Sequence, residues 1–342
     1  MKKINRMILP AVLAAATSLA TLTTASAVEL RLAHWVPASH PIQKYGIEPW
    51  VKAVEEASNG RIHITIYPAQ QLGAAPDHYD MTRDGITDIG YVNPGYNAGR
   101  FPIASLIEIP FLANNAKAGA KAMHEWYLNY AEKEMPEVKL CVMNPHDPGT
   151  IHSKTPVHVP ADVKGMNVRP ANATIARFVH LLGGASVQVS APEAREALSK
   201  GAADAITFPW NSIYIFGIDK ETKYHLDMPF YESLQTLVIN RGVYDGLAPE
   251  DRQVIDEHCT PEWSEKFSTG WADNEAAGRE KMIESGEHTL YKPTDEEVSM
   301  WKEAAAPLLD EWKKSVASTG IDADKAYNDY VATLKKYNSL FQ

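Results

Sequence analysis

Apolar and polar side chains alternate along Leu30-Arg31-Leu32-Ala33-His34 and again along Arg61-Ile62-His63-Ile64-Thr65-Ile66-Tyr67. A period of two puts one face of a strand on a core, so two strands are predicted there. Between them Ile42, Tyr45, Trp50, Val54 and Ala57 fall at helical spacing. Asn59-Gly60 ends that helix, because a left-handed residue is needed just past the last turn and glycine adopts it without steric cost. Strand, helix and strand in this order imply an α/β fold with mostly parallel sheets flanked by helices.

The pattern then repeats itself. Ile62 to Asn93 reads as strand, helix and then Gly85-Ile86-Thr87-Asp88-Ile89-Gly90-Tyr91-Val92-Asn93-Pro94. Ser186 to Trp210 reads as strand, helix and then Gly201-Ala202-Ala203-Asp204-Ala205-Ile206-Thr207-Phe208-Pro209-Trp210. Both units end in Gly-x-x-Asp, a strand and a proline. Ligands of open α/β sheets bind beyond the carboxyl ends of the strands, so two facing units would set Tyr91 and Asn93 against Phe208 and Trp210 across one cleft.

The last third of the chain is helical. Pro249 suits a first turn, Pro261 is expected to kink a long helix, and Gly286 to stop it. Thr294 with Glu297 forms a capping-box pattern ahead of Val298, Trp301, Leu308, Trp312 and Val316 on one face. Ala326, Tyr327, Tyr330, Val331 and Leu334 make a second stripe. Both stripes read as surfaces turned to a core.

Composition adds a compartment. Lys2, Lys3 and Arg6 precede an apolar run from Met7 to Leu22, and Ala25-Ser26-Ala27 is a cleavage pattern, so residues 1–27 read as a signal peptide and the mature chain is expected to begin at Val28. Removing 27 of 342 residues leaves 315, and losing three cations lowers the formal charge from −10 to −13. That length suits two domains. The acidic balance argues against nucleic acid as partner, no later stretch is apolar enough to insert in a membrane, and no cysteine follows the signal to carry a lipid. A periplasmic location is expected. Cys141 and Cys259 are the two cysteines, and two buried free thiols are favoured over a disulfide because a chain of this size needs no staple.

Catalytic and metal motifs are missing. The histidines form no local ligand pair, His124-Glu125 lacks the second histidine of a zincin helix, and neither cysteine sits in a C-x-x-C. No nucleophile elbow, Walker loop or dinucleotide turn occurs. No cofactor and no metal are expected, and the chain does not read as an enzyme. One residue stands out instead. Arg169 closes the run Val163-Lys164-Gly165-Met166-Asn167-Val168-Arg169-Pro170, where a guanidinium at a strand tip is suited to gripping a carboxylate with two parallel hydrogen bonds.

With Gly201-Ala202-Ala203-Asp204 and the export signal, this segment resembles the solute-binding subunits of TRAP transporters, the DctP-type family. Further residues carry the resemblance across the mature chain: Leu30-Arg31-Leu32-Ala33-His34-Trp35, Asn59-Gly60-Arg61-Ile62, Gln71-Leu72-Gly73, Ile109-Pro110-Phe111-Leu112, Ser153-Lys154 and Leu198-Ser199-Lys200. The resemblance implies a two-lobe, hinge-linked periplasmic-binding-protein architecture with a long helix straddling both lobes. It implies capture of an organic acid for a permease with a small and a large membrane subunit, driven by an ion gradient. Arg169 corresponds to the arginine that meets the ligand carboxylate in the family. Many members carry an asparagine beside the proline of the second lobe, where this chain has Phe208 before Pro209 and Trp210.

Ring faces without an acceptor suit an apolar body, so a carboxylate with an apolar or aromatic body is favoured over a polyhydroxylated sugar acid. The candidate ligand-contacting residues are Arg169, Phe208, Trp210, Asn211 and Asn172 on one side. Trp35, Tyr91, Asn93, His34 and Pro148 complete the set. Lobe I is expected to comprise residues 28–150 with about 237–284, lobe II residues 151–236 with about 285–316, and residues 317–342 a C-terminal helix packed on both. The alternatives are a secreted hydrolase or lyase acting on an organic acid, which would need a catalytic pair, and a sensor using the same pocket.

Overall fold

The computed structural model describes residues 27–341. The signal peptide assigned to residues 1–27 therefore lies, but for its last residue, outside the described residues. Among the described residues eleven strands form two sheets. The first contains β1 (Val28–Ala33), β2 (Ile62–Tyr67), β3 (Ile89–Val92), β4 (Val138–Pro145) and β10 (Leu234–Asn240), in the order β2-β1-β3-β10-β4. The second contains β5 (Thr150–Ser153), β6 (Asn167–Arg169), β7 (Ala185–Ser186), β8 (Ala205–Phe208), β9 (Tyr224–Leu226) and β11 (Thr289–Tyr291), in the order β11-β9-β5-β8-β6-β7. Helices flank each sheet, giving two α/β lobes.

The sheets are mixed where mostly parallel ones were expected. β1 pairs parallel with β2 and β3, as the strand-helix-strand pattern requires, but β10 runs antiparallel to both β3 and β4. In the second sheet β5 runs antiparallel to β8 and β9. The physical reason is connectivity. β5 and β10 each follow a direct crossing from the other lobe, at residues 146–149 and 227–233, so they enter their sheets from the hinge side.

The Gly-x-x-Asp echo has one structural role in both lobes. Gly85 and Gly201 take left-handed φ values of 74° and 76°. Asp88 then accepts the backbone N–H of Arg31 at 2.8 Å, and Asp204 accepts that of Asn167 at 2.9 Å. Each aspartate ties the head of its own strand to the neighbouring parallel strand.

Pro261 does not kink a helix. It occupies the first turn of a new one, Pro261–Ser285, with Thr260 as N-cap and Gly286 in the left-handed conformation after the last turn. A first-turn proline loses no hydrogen bond, because those N–H groups have no partner in the helix. This helix lies along β4 and the helix Ala116–Tyr127 of the first lobe, then delivers the chain to β11 of the second. The capping box at Thr294 forms as expected. Beyond it, Trp301 and Leu308 pack under the second sheet while Trp312 and Val316 join the first lobe's core. The helices Asp295–Ala305 and Pro307–Ala317 are thus a further connection between lobes.

Cys141 and Cys259 form a disulfide, contrary to the expectation of free thiols. The bond joins β4 to the residue two before the long helix. A separation of 118 positions hides a closeness that only the packing of that helix along β4 creates.

Candidate functional site

The lobes meet over a cavity at the carboxyl ends of β1, β3, β6 and β8, where a doubly wound fold places ligands. It holds about 350 Å³ of space free of atoms, its mouth included. Trp35, Asn93 and Tyr96 line it from the first lobe. Arg169, Ala171, Phe208, Pro209 and Phe216 line it from the second. The hinge and the long helix contribute His146, Tyr231, Ser233, Gln235 and Trp271. The cleft is shut: the hydroxyl of Tyr96 accepts the N–H of Ala191 across it at 3.0 Å.

Arg169 dominates the site electrostatically. The strand β6 ends on it, so its side chain enters the junction, where it is 1% exposed. Its Nε donates to the carbonyl of Val189 at 3.0 Å, and its Cζ lies 5.6 Å from the centre of the Phe208 ring. Its Nη2 is buried with no hydrogen-bond partner. Arg177 and Arg195 pair with Glu311 and Glu221, whereas Arg169 joins no ion pair among the described residues. A buried guanidinium left this way is costly unless an anion enters.

Other unsatisfied groups stand in the same cavity. The Tyr231 hydroxyl, the Trp35 indole N–H and the Gln235 carbonyl are buried without partners. The two histidines of the cavity add no charge. His146 Nε2 accepts the N–H of Ser233 at 3.0 Å, so its Nδ1 donates to the Asp147 carbonyl at 2.7 Å, and burial pushes the ring down to about 4. His40 accepts the N–H of Ile42, and burial pushes it down to about 3. Tyr96, Phe208, Phe216 and Trp271 supply further rings to the walls.

Of the residues expected from the sequence, the structure brings Arg169, Phe208, Trp35 and Asn93 to this cavity. The others stand behind or beside it. Tyr91 stacks on Trp35 with ring centres 6.3 Å apart, its hydroxyl accepting from Asn144. His34 is fully buried outside the wall, with its ring pushed down to about 4 by burial. Trp210 packs edge-on against His152, 5.3 Å between centres, within the second lobe. Asn211 is held against the long helix, its N–H donating to Glu275 at 2.5 Å. Pro148 is buried in the crossing segment. Asn172 caps the helix Ala173–Leu181 through Ile175 and donates to Ser233 Oγ at 2.9 Å.

The residues not anticipated are His40 and Tyr96 of the first lobe, Ala171, Ala191, Ser212 and Phe216 of the second, His146, Tyr231 and Ser233 of the crossing segments, Gln235 of β10 and Trp271 of the long helix. A signal was present in the chain. Glu232, Ser233 and Gln235 set three polar residues at the head of an apolar strand, and such residues need a reason to be buried.

Two lobes hinged over a cavity built from both are the form of a solute receptor. Residues 32–315 match the model of the bacterial extracellular solute-binding proteins, family 7, known as DctP, and the chain belongs to that family, the solute-binding subunits of TRAP transporters. A curated solute-binding protein of Chromohalobacter salexigens is 25% identical over 79% of this chain and 81% of its own. A TRAP solute-binding protein from Rhodoferax ferrireducens, solved with copurified benzoate, superimposes with a TM-score of 0.86 at 28% identity, covering 91% of this chain and 98% of that one. A marine metagenome protein solved with 3-hydroxybenzoate gives a TM-score of 0.85 at 28% identity, with 92% and 99% covered. One from Bordetella bronchiseptica, solved with mandelate, gives 0.85 at 26%, with 90% and 99% covered. No helix of the described residues is long and apolar enough to cross a membrane.

Proposed function

We propose that this receptor captures a monocarboxylate with an aromatic body, after export and cleavage near Ala27, and hands it to an ion-gradient-driven permease of one small and one large membrane subunit. The observation that carries the reading is the buried Arg169, whose Nη2 has no partner. A carboxylate placed there gains charge-assisted hydrogen bonds that the protein itself does not supply. Phe208, Phe216, Trp35 and Trp271 then surround the body with ring faces, while Tyr231 and Trp35 offer further donors. The likeness to proteins solved with benzoate, 3-hydroxybenzoate and mandelate supports the same ligand class.

No catalytic pair is part of this reading. His146 is neutral and turned to backbone groups, while neutral His40 accepts the N–H of Ile42 and sets its Nε2 3.4 Å from Ser212 Oγ, whose hydroxyl donates to the buried Glu275; in this reading the role of the site is to bind and close. The test is a thermal shift with benzoate, mandelate and gluconate on the mature protein. A ligand at a hundred times its dissociation constant adds about 2.7 kcal/mol to stability. The aromatic acids are expected to raise the melting temperature and gluconate to leave it unchanged; the opposite ranking would sink the aromatic assignment.

A further inference from the structure

A second cavity opens along the same lobe junction, with about 790 Å³ of space free of atoms, its mouth included. Its walls come from three places: residues 94–109 and Leu234 of the first lobe, the helix Ala173–Leu181 of the second, and the bridging helix Pro307–Ala317. On its wall sits Glu108, fully buried, with contacts of only 3.4 Å to Thr174 Oγ1 and to the N–H of Leu234. Both distances are at the limit of a hydrogen bond. Three charged residues line the cavity: Glu108, Arg177 and Glu311. The one cation among them is committed, since Arg177 grips Glu311 with two bonds of 2.7 and 2.8 Å at the more exposed edge. Glu108 is therefore an acid at the buried end of an apolar well formed by Phe101, Pro102, Leu308 and Trp312.

A carboxyl beneath apolar walls fits a cationic head on a hydrocarbon stem, the chemistry of a lysine or arginine side chain. We propose that this cavity receives a basic side chain of the membrane partner, with Glu108 as its counterion. Because both lobes and the bridging helix build the well, it has this shape only when the receptor is shut. A partner that inserts there distinguishes the closed, loaded receptor from the open one. The inference rests on the receptor reading above. Burial pushes Glu108 up to about 8, so it is protonated at neutral pH in the empty well and must release that proton to a solvent base when a cation enters.

The experiment uses the mature receptor and n-butylammonium as probe, with n-butanol as neutral control, each with and without benzoate. Calorimetry at pH 7 in two buffers of different ionisation heat is expected to show weak binding of butylammonium, tighter with benzoate, with close to one proton released. Glu108→Gln is expected to abolish both signals. Ser315→Trp, on the exposed rim, keeps the acid but fills the mouth and is expected to do the same. Butylammonium that fails to bind, or that binds Glu108→Gln and wild type alike, overturns the proposal, as does equal binding of butanol. For the partner, uptake by the reconstituted transporter should fall at least tenfold with Glu108→Gln at unchanged benzoate affinity; unchanged uptake overturns the assignment to a partner side chain. A protein that binds butylammonium but no organic acid would sink the receptor reading alone.

Discussion

The two cavities of the lobe junction carry buried charges of opposite sign and handle them differently. In the smaller one Arg169 is buried with its Nη2 unpartnered and no ion pair among the described residues, an arrangement that favours an anion. In the larger one Glu108 escapes the same penalty by holding a proton, as its rise to about 8 shows. A permanent charge makes a site that waits for its ligand; a removable one makes a site that tolerates being empty. The first suits high affinity and the second a weak, reversible contact.

Breaking the first side of this contrast should have the largest effect. Arg169→Ala is expected to weaken carboxylate binding by about 4 kcal/mol, close to a thousandfold, as when one partner of a desolvated charge pair is lost. Calorimetry with benzoate reads it, and near wild-type affinity would remove the anchor. Arg169→Lys should recover only part, since an ammonium cannot reproduce the planar fork.

Trp210→Ala separates the wall from what supports it. The ring packs on His152 behind Phe208, so the cost of about 3 kcal/mol should fall on the stability of the unliganded protein. Denaturant unfolding measures that cost. A large change in ligand ranking at unchanged stability would return Trp210 to the binding surface.

Glu108→Gln should sharpen the other side. The carboxyl titrates near 4.5 when unfolded and near 8 when folded, so its contribution is fully present below 4.5 and is lost as pH rises through 8. From pH 6.5 to 8 the wild type should lose about 2 kcal/mol that the glutamine variant keeps. The buried histidines act in the other direction. His34, His146 and His152 are pushed down to about 4, so their contribution is present above 6.5 and is lost as pH falls through 4. Parallel melting-temperature profiles for both proteins between pH 6.5 and 8 would show that Glu108 is not protonated.

Much of the frame was legible because it depends on local rules. The alternation of β1 and β2, the stop at Asn59-Gly60, the capping box at Thr294 and the paired Gly-x-x-Asp units each involve residues a few positions apart. The place of Arg169 at the end of a strand was legible in the run before Pro170, and the structure brings it to the cavity. What stayed hidden depends on residues distant in sequence. The antiparallel strands β5 and β10 and the cavity residues Tyr231 and Gln235 arise where the chain crosses between lobes or just after it, and the disulfide arises where the long helix packs along β4. Tyr45 was expected on the buried face of its helix and is 54% exposed. The segment Gln43–Ile47 is wound as a π-helix, which shifts the phase of the pattern there and buries Ile47 instead. Trp210 was misplaced for a different reason: aromatic character marks a residue as valuable to bury but does not say in which layer.

The disulfide gives the long helix a fixed foot. Cys259 stands just before it and is tied to β4 of the first lobe, while at the far end Arg279 grips Asp227 and Glu275 holds Asn211 and Ser212 of the second. The helix is therefore a lever anchored at its base and loaded at its tip. Stiffness at the base depends on an oxidised bond, so the mechanical behaviour of the receptor is set by the redox state of its surroundings: in a reducing compartment the same chain would close on a loosened pivot.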